Sequence, residues 1–225
     1  MLLAVGDIHG CFAALETLAA TVPFAAEDLL VTLGDYVDRG PDSWSVVNWL
    51  IEQWKLGRLV PLRGNHELIM QEARMSAGLR DSWLAFGGAA TLASYAMPDT
   101  AGRLDDVPAE HWEFFERSCR DYYETETHFF VHANADPQLP LDKQSEQMLF
   151  WEKFDNPPPH ISGKIMVCGH TAQKSGMPTN LGHAVCIDTW VYGDGWLTCL
   201  DVATGRFWQA NQQRQSREGQ LGEPM

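Results

Sequence analysis

Residues 2–10 read LLAVGDIHG, residues 29–40 read LLVTLGDYVDRG, and residues 59–67 read LVPLRGNHE. Each begins as an apolar run too short for a helix, meets a glycine, and opens into a polar loop. Between the first and second runs, Phe12, Leu15, Leu18 and Ala19 recur at helical spacing. Between the second and third, Pro41 and Asp42 open a helix that carries Val46, Val47, Leu50, Ile51 and Trp54 and ends at Gly57. Leu68–Ala77 reads as a further helix. The order is β-α-β-α-β-α with short connections, which predicts an α/β layered fold with parallel strands at its centre.

Outward from this segment the texture changes. Residues from about 78 to 123 read as a helical insertion broken at Gly87-Gly88, Pro98 and Pro108, with Trp83, Trp112, Phe114 and Phe115 as packing residues. Strands return from His128: Phe129–Val131, Ile165–Cys168, Ala184–Ile187, Leu197–Leu200 and Phe207–Gln209. Asn156–His160 holds three consecutive prolines and is a loop. The reading is a single domain over residues 1–210, then a polar, Gln-rich tail over 211–225 that frays.

The whole-chain numbers fit one domain: 225 residues and 25.2 kDa. Hydrophobic residues at 45% and aromatics at 11% supply a core and exclude disorder over the full length. Lys and Arg total 16 against 30 Asp and Glu, a formal charge of −14. That charge argues against general nucleic-acid binding and against docking on anionic membranes. Asp7 interrupts the apolar start and no basic segment precedes it, so it does not read as a secretory signal. The expected location is the cytoplasm. The five cysteines form no CxxC pair, and Cys168, Cys186 and Cys199 sit in apolar runs, so all read as reduced core residues.

The chemistry falls in one repeated slot, just past a strand. Asp7 and His9 follow the first strand, Asp35, Asp38 and Arg39 the second, and Arg63, Asn65 and His66 the third. His132 ends a later strand and His170 another. The carboxyl ends of parallel strands form the ligand crevice of such a sheet. Carboxylate, imidazole and amide groups suit Mn, Fe or Zn. Asp35, on the central strand, is the natural carboxylate to bridge two ions. Arg39 and Arg63 offer planar forks for phosphate oxygens. Singly, each residue has a plain structural role, such as an aspartate N-cap or a turn asparagine. Their coincidence at five successive strand ends, beside glycines, outweighs those roles. His111, His128, His160 and His183 stand apart from this group and read as structural or surface residues.

The trio GDIHG, GDYVDRG and RGNHE, with His132 and Gly169-His170 in order, resembles the phosphoprotein phosphatase branch of the calcineurin-like metallophosphoesterases. The compact size is similar to that of bacterial and bacteriophage Ser/Thr protein phosphatases. The resemblance implies a β-sandwich of mixed sheets flanked by helices (α-β-β-α) with a dimetal site. By position, Asp7, His9 and Asp35 would hold one ion, and Asp35, Asn65, His132 and His170 the other, with Mn2+ foremost and Fe or Zn as alternatives. His66 would be the general acid, oriented by Asp38, and Arg39, Arg63 and Asn65 would contact the phosphate. Lys153 stands where bacterial relatives often carry an arginine, and offers a point charge in place of a fork. The implied activity is hydrolysis of phosphoserine and phosphothreonine esters by in-line attack of a metal-bridging hydroxide. The implied partner is a phosphorylated protein or peptide, with no nucleic acid or membrane, and the enzyme is expected to be a monomer. Symmetrical bis(5'-nucleosyl)-tetraphosphatases share the motifs and are the alternative. A non-catalytic binding module of the same fold is the third reading, and the intact ligand set argues against it.

Overall fold

In the computed structural model of the protein, which describes residues 1–222, the three opening runs are strands β1 (Leu2–Val5), β2 (Leu29–Thr32) and β3 (Leu59–Pro61). They pair in parallel, Ala4 opposite Val31 and Val31 opposite Val60. Helices α1 (Phe12–Thr21) and α2 (Ser43–Lys55) make the crossovers. The α2 start is set by Asp42, whose side chain accepts the Ser45 amide at 3.0 Å. Next come α3 (Asn65–Glu72), α4 (Ala77–Trp83), α5 (Ala89–Tyr95) and α6 (Ala109–Glu113). The helix expected over Leu68–Ala77 is α3, which begins earlier, at Asn65 inside the RGNHE loop, and ends at Glu72, while Ala77 opens α4.

The later strands are β4 (Tyr122–Glu124), β5 (His128–Val131), β6 (Ile165–Cys168), β7 (Thr179–Asn180), β8 (Ala184–Cys186), β9 (Leu197–Asp201), β10 (Arg206–Ala210) and β11 (Ser216–Gln220). A short helix α7 (Glu146–Phe150) lies between β5 and β6. Two mixed sheets result, one in the order β11-β10-β9-β1-β2-β3 and one in the order β4-β5-β6-β8-β7. β9 runs antiparallel to β1, with Leu3 opposite Asp201.

Side-chain alternation explains why every central strand reads as a continuous apolar run. Ala4, Val31, Leu33 and Val60 of the first sheet meet Phe130, Val167 and Val185 of the second between the layers. Leu3 and Val5 point outward, onto Leu15, Leu18, Val46 and Leu50 of α1 and α2. Phe129, Val131, Met166 and Cys168 point out of the second sheet, onto Leu149, Phe150 and Phe154. All five cysteines are buried and free. The insertion covers the first helical layer through Trp83, Tyr95, Phe114 and Phe115.

One expectation is corrected here. The stretch from Asn211 does not fray, because β11 pairs antiparallel with β10, Trp208 opposite Glu218. Its sequence, SREGQ, carries no apolar alternation because the strand is an exposed sheet edge. Backbone pairing holds it, together with Arg217. That guanidinium stacks over Trp196 at 4.2 Å and donates to Gln209 Oε1 at 2.7 Å. Residues 223–225 of the expected tail lie outside the described residues.

Candidate active site

The loops after β1, β2 and β3 and those after β5 and β6 converge at one end of the sandwich. Their turns are tight enough to force His9, Asp35, Asp38, Arg39 and His170 into the left-handed region, with φ between 48° and 72°. Each such residue costs on the order of 1–3 kcal/mol, a cost that the surrounding structure must offset. Part of the offset comes from Glu67. Its buried carboxylate accepts the backbone amides of Asp35 (2.9 Å), Tyr36 (2.8 Å) and Gly64 (2.9 Å). Burial, then the Asp35 charge, pushes its pKa up to about 7. The β2 and β3 loops are thereby tied to one side chain. Gly64 is required by crowding, since a Cβ there would lie 2.2 Å from Asp35 Oδ1.

Asp35 is the centre. Its Oδ2 lies 3.5 Å from His9 Nε2, and its Oδ1 lies 3.5 Å from His132 Nε2. One oxygen therefore faces each half of the cluster. Two groups of donor atoms share it: His9, Asp35 and His66, and Asp35, His132 and His170. Asn65 Oδ1 joins the second group, 2.9 Å from His132 Nε2 and 3.1 Å from His170 Nδ1. Asp7 closes the other side, its two oxygens each 3.1 Å from the His170 amide.

Three imidazoles are held in the form a metal requires. His9 Nδ1 donates to the Val37 carbonyl (3.0 Å), His132 Nδ1 to that of Leu33 (2.7 Å), and His170 Nε2 to that of Trp151 (3.2 Å). The opposite nitrogen of each ring carries its lone pair and points into the cluster, where that of His9 accepts an N–H of Arg39. Burial lowers the pKa of His9 and His132, and that of His170 falls to about 4, so these rings are neutral at pH 7. For Asp35, burial favours the neutral acid, but His132, His66 and His9 outweigh it and hold the carboxyl well below its ordinary range. Neutral imidazoles around a shared carboxylate, with an amide oxygen, fit a pair of divalent ions.

His66 is the exception among the site histidines. Burial works against its charge, yet Asp35 and the Asp38 hydrogen bond raise its pKa. Its Nδ1 lies 2.6 Å from Asp38 Oδ2. Asp38 is wholly buried and also accepts from Trp83 Nε1 (3.0 Å) and Thr91 Oγ1 (2.6 Å). Trp83 and Thr91 belong to the helical insertion, and no local sequence signal pointed to them. Asp188, past β8, is another buried site residue that the sequence reading missed.

The two arginines separate. Arg39 enters the cluster: its Nη1 is 2.7 Å from His9 Nε2, and its guanidinium lies 4.5 Å from the Tyr192 ring centre. Arg63 is committed to the end of the insertion, to Asp121 at 3.1 Å and the Cys119 carbonyl at 3.3 Å. Lys153 is exposed; its carbonyl accepts from the Asn134 side chain and the Asp155 amide, and its ammonium forms no ion pair among the described residues. The four histidines set aside have structural partners. Tyr95 bonds His111 at 2.8 Å, Thr127 bonds His128, and the carbonyls of Leu139 and Pro157 accept from His160 and His183.

Residues 1–174 match the calcineurin-like phosphoesterase family, and the chain belongs to it. Within that family it is 44% identical over 85 residues to serine/threonine-protein phosphatase 1 of Salmonella typhimurium, covering 37% of each chain. It is 51% identical over 69 residues to the symmetrical bis(5'-nucleosyl)-tetraphosphatase of an Acidovorax species, covering 30% of this chain and 24% of that one. These matches span well under half the length of the relatives. The fold extends further: a crystal structure of a putative diadenosine tetraphosphatase superposes with a TM-score of 0.66 at 22% identity, covering 98% of this chain and 94% of that one. A cold-active protein-tyrosine phosphatase from a psychrophilic Shewanella gives 0.63 at 16% identity, covering 96% and 79%.

Proposed function

We propose that the protein is a metal-dependent phosphomonoesterase acting on phosphoserine and phosphothreonine in proteins. The observation that carries this reading is the contrast among the site histidines. Burial lowers the pKa of His9, His132 and His170, each of which turns a ring nitrogen toward the cluster around Asp35, while Asp35 and the Asp38 hydrogen bond raise that of His66. Three rings are suited to ligation and one to proton donation. In this reading Asp7, His9 and Asp35 hold one divalent ion, and Asp35, Asn65, His132 and His170 the other, with Mn2+ the expected metal. Ions held there would polarise the phosphoryl oxygens and supply a nucleophile at neutral pH.

The chain's own residues do the rest. Arg39 presents two N–H groups to the phosphate, and its stacking on Tyr192 limits its freedom. His66 delivers the proton from Nε2 to the departing alkoxide, whose own basicity would otherwise make it a poor leaving group. Asp38 holds the ring through Nδ1 and stabilises the cation before transfer. Arg63 is engaged with Asp121 and acts in this reading as a support for the loop, leaving Arg39 as the principal clamp. A cytoplasmic monomer is the form this reading assumes.

Hydrolysis of dinucleoside tetraphosphates is the competing reading, supported by the 51% identity to the Acidovorax enzyme. Against it stands the supply of cations, since among the described residues only Arg39 has its guanidinium in the cluster. Equal amounts of enzyme with Mn2+, offered a phosphoserine peptide and diadenosine tetraphosphate, separate the two. Higher kcat/KM on the peptide is expected, and a preference for the dinucleotide overturns the proposal.

A further inference from the structure

The ends of β1 and β8 abut at Gly6. A Cβ on that residue would lie 2.5 Å from the Ile187 carbonyl and 3.4 Å from the Asp188 amide. The residues that follow, Asp7 and Asp188, are therefore brought side by side, and both are 2% exposed. β6 lies against β8, with the Ile187 amide on the Cys168 carbonyl at 2.9 Å, and carries His170 to the same point. The hydrogen bonds around the two carboxylates are sparse. Asp7 accepts only the His170 amide, and Asp188 accepts the Trp190 amide at 3.0 Å. Among the described residues no Lys or Arg forms an ion pair with either of them.

Two buried carboxylates side by side repel each other strongly unless a cation lies between or beside them. The same repulsion becomes attraction for a divalent ion. Neither Asp7 nor Asp188 has an atom in the two close groups of donors; Asp7 enters the ligand set through its GDIHG motif, and Asp188 lies outside that set, so its effect is exerted at a distance. We propose that Asp188 is a positioning residue whose charge strengthens binding of the divalent ion held by Asp7, His9 and Asp35. The proposal rests on the metal-dependent reading above and adds to it a residue outside the ligand set.

Asp188→Asn keeps the shape and the Oδ1 acceptor for Trp190 and removes the charge. The test titrates Mn2+ alone into the metal-free full chain by calorimetry, and follows thermal unfolding of the same metal-free protein. Outer groups of this kind typically change metal affinity by about 10–100-fold. The expected result is an affinity lowered about tenfold or more at one of two sites, the second within about threefold of wild type, with no fall in the metal-free unfolding temperature. Two wild-type affinities in the variant overturn the proposal alone. A lowered metal-free unfolding temperature, or failure to fold, gives Asp188 a structural role and also overturns it. Absence of Mn2+ binding by the wild type overturns the proposal and the metal-dependent reading together.

Discussion

Replacing Asp38 by asparagine exchanges one oxygen for an NH2 group where the helical insertion meets His66, the proposed proton donor. Oδ1 still accepts from Trp83 and Thr91, so the packing survives. The 2.6 Å bond to His66 Nδ1 does not survive as a charge-assisted one. Such bonds contribute about 1.5–3 kcal/mol, and 1.36 kcal/mol corresponds to a tenfold change in a proton equilibrium. The sign follows from the role of His66. It acts in its protonated form, so activity falls as pH rises through its pKa, and losing the Asp38 charge moves that fall to lower pH by roughly one to two pH units. At neutral pH, kcat on a phosphoserine peptide should fall about 10²–10⁴-fold, the range for loss of a general acid. On p-nitrophenyl phosphate, whose leaving group departs without a proton, the loss should be about tenfold or less. The assay is a pair of pH–rate profiles with Mn2+ on the two substrates, with metal content measured alongside. Equal losses on both substrates, or an unmoved alkaline limb, would refute the assignment of His66 and Asp38 as proton donor and orienter.

Glu67→Gln should lower stability by about 2–5 kcal/mol in urea unfolding, because an NH2 group then faces buried amides that a carboxylate oxygen now satisfies; a change below about 1 kcal/mol would count against its organising role. Gly169→Ala places a Cβ 2.0 Å from Asp7 Oδ1 and should weaken Mn2+ binding more than about tenfold while the circular dichroism spectrum is kept. His111 is kept neutral by burial, which lowers its pKa to about 4. The unfolded ring takes its proton near pH 6.5 and the folded one only near pH 4, so metal-free stability is lost as pH falls between those values. His111→Gln should remove that part of the slope, at most about 1.4 kcal/mol per pH unit, in unfolding curves recorded alongside wild type.

The strand-end residues were legible because position and chemistry coincided: Asp7, Asp35, Asn65, His132 and His170 each sit one to three steps past an apolar run. The same regularity made the parallel β1-β2-β3 core readable. Trp83 and Thr91 were not, since their role exists only where the insertion folds back onto Asp38, 45 and 53 residues away in sequence. Asp188 sits past a strand as the others do, but its loop, Ile187-Asp188-Thr189-Trp190, lacks the adjoining glycine that marked Asp7, Asp35, Asn65 and His170. Arg63 shows the limit of motif reading: its charge was visible, but its partner, Asp121, depends on the bridge between Leu62 and Arg120 that only the fold creates. The β11 strand escaped notice because an exposed edge needs no hydrophobic pattern, only a neighbour to pair with.

The pairing of β1 with β9 has a consequence for how the chain is made. Strand β1 is synthesised first, and β2 and β3 can dock on one side of it within the next sixty residues. Its other side waits for residues 197–201. At a synthesis rate of about 5–20 residues per second, that side stays open for roughly 10–40 s. During this interval the nascent half-sheet displays an unpaired apolar edge in the crowded space near the ribosome exit, a template for misdirected pairing between neighbouring nascent chains. Slowing translation between β3 and β9 should therefore reduce soluble yield more than slowing it elsewhere.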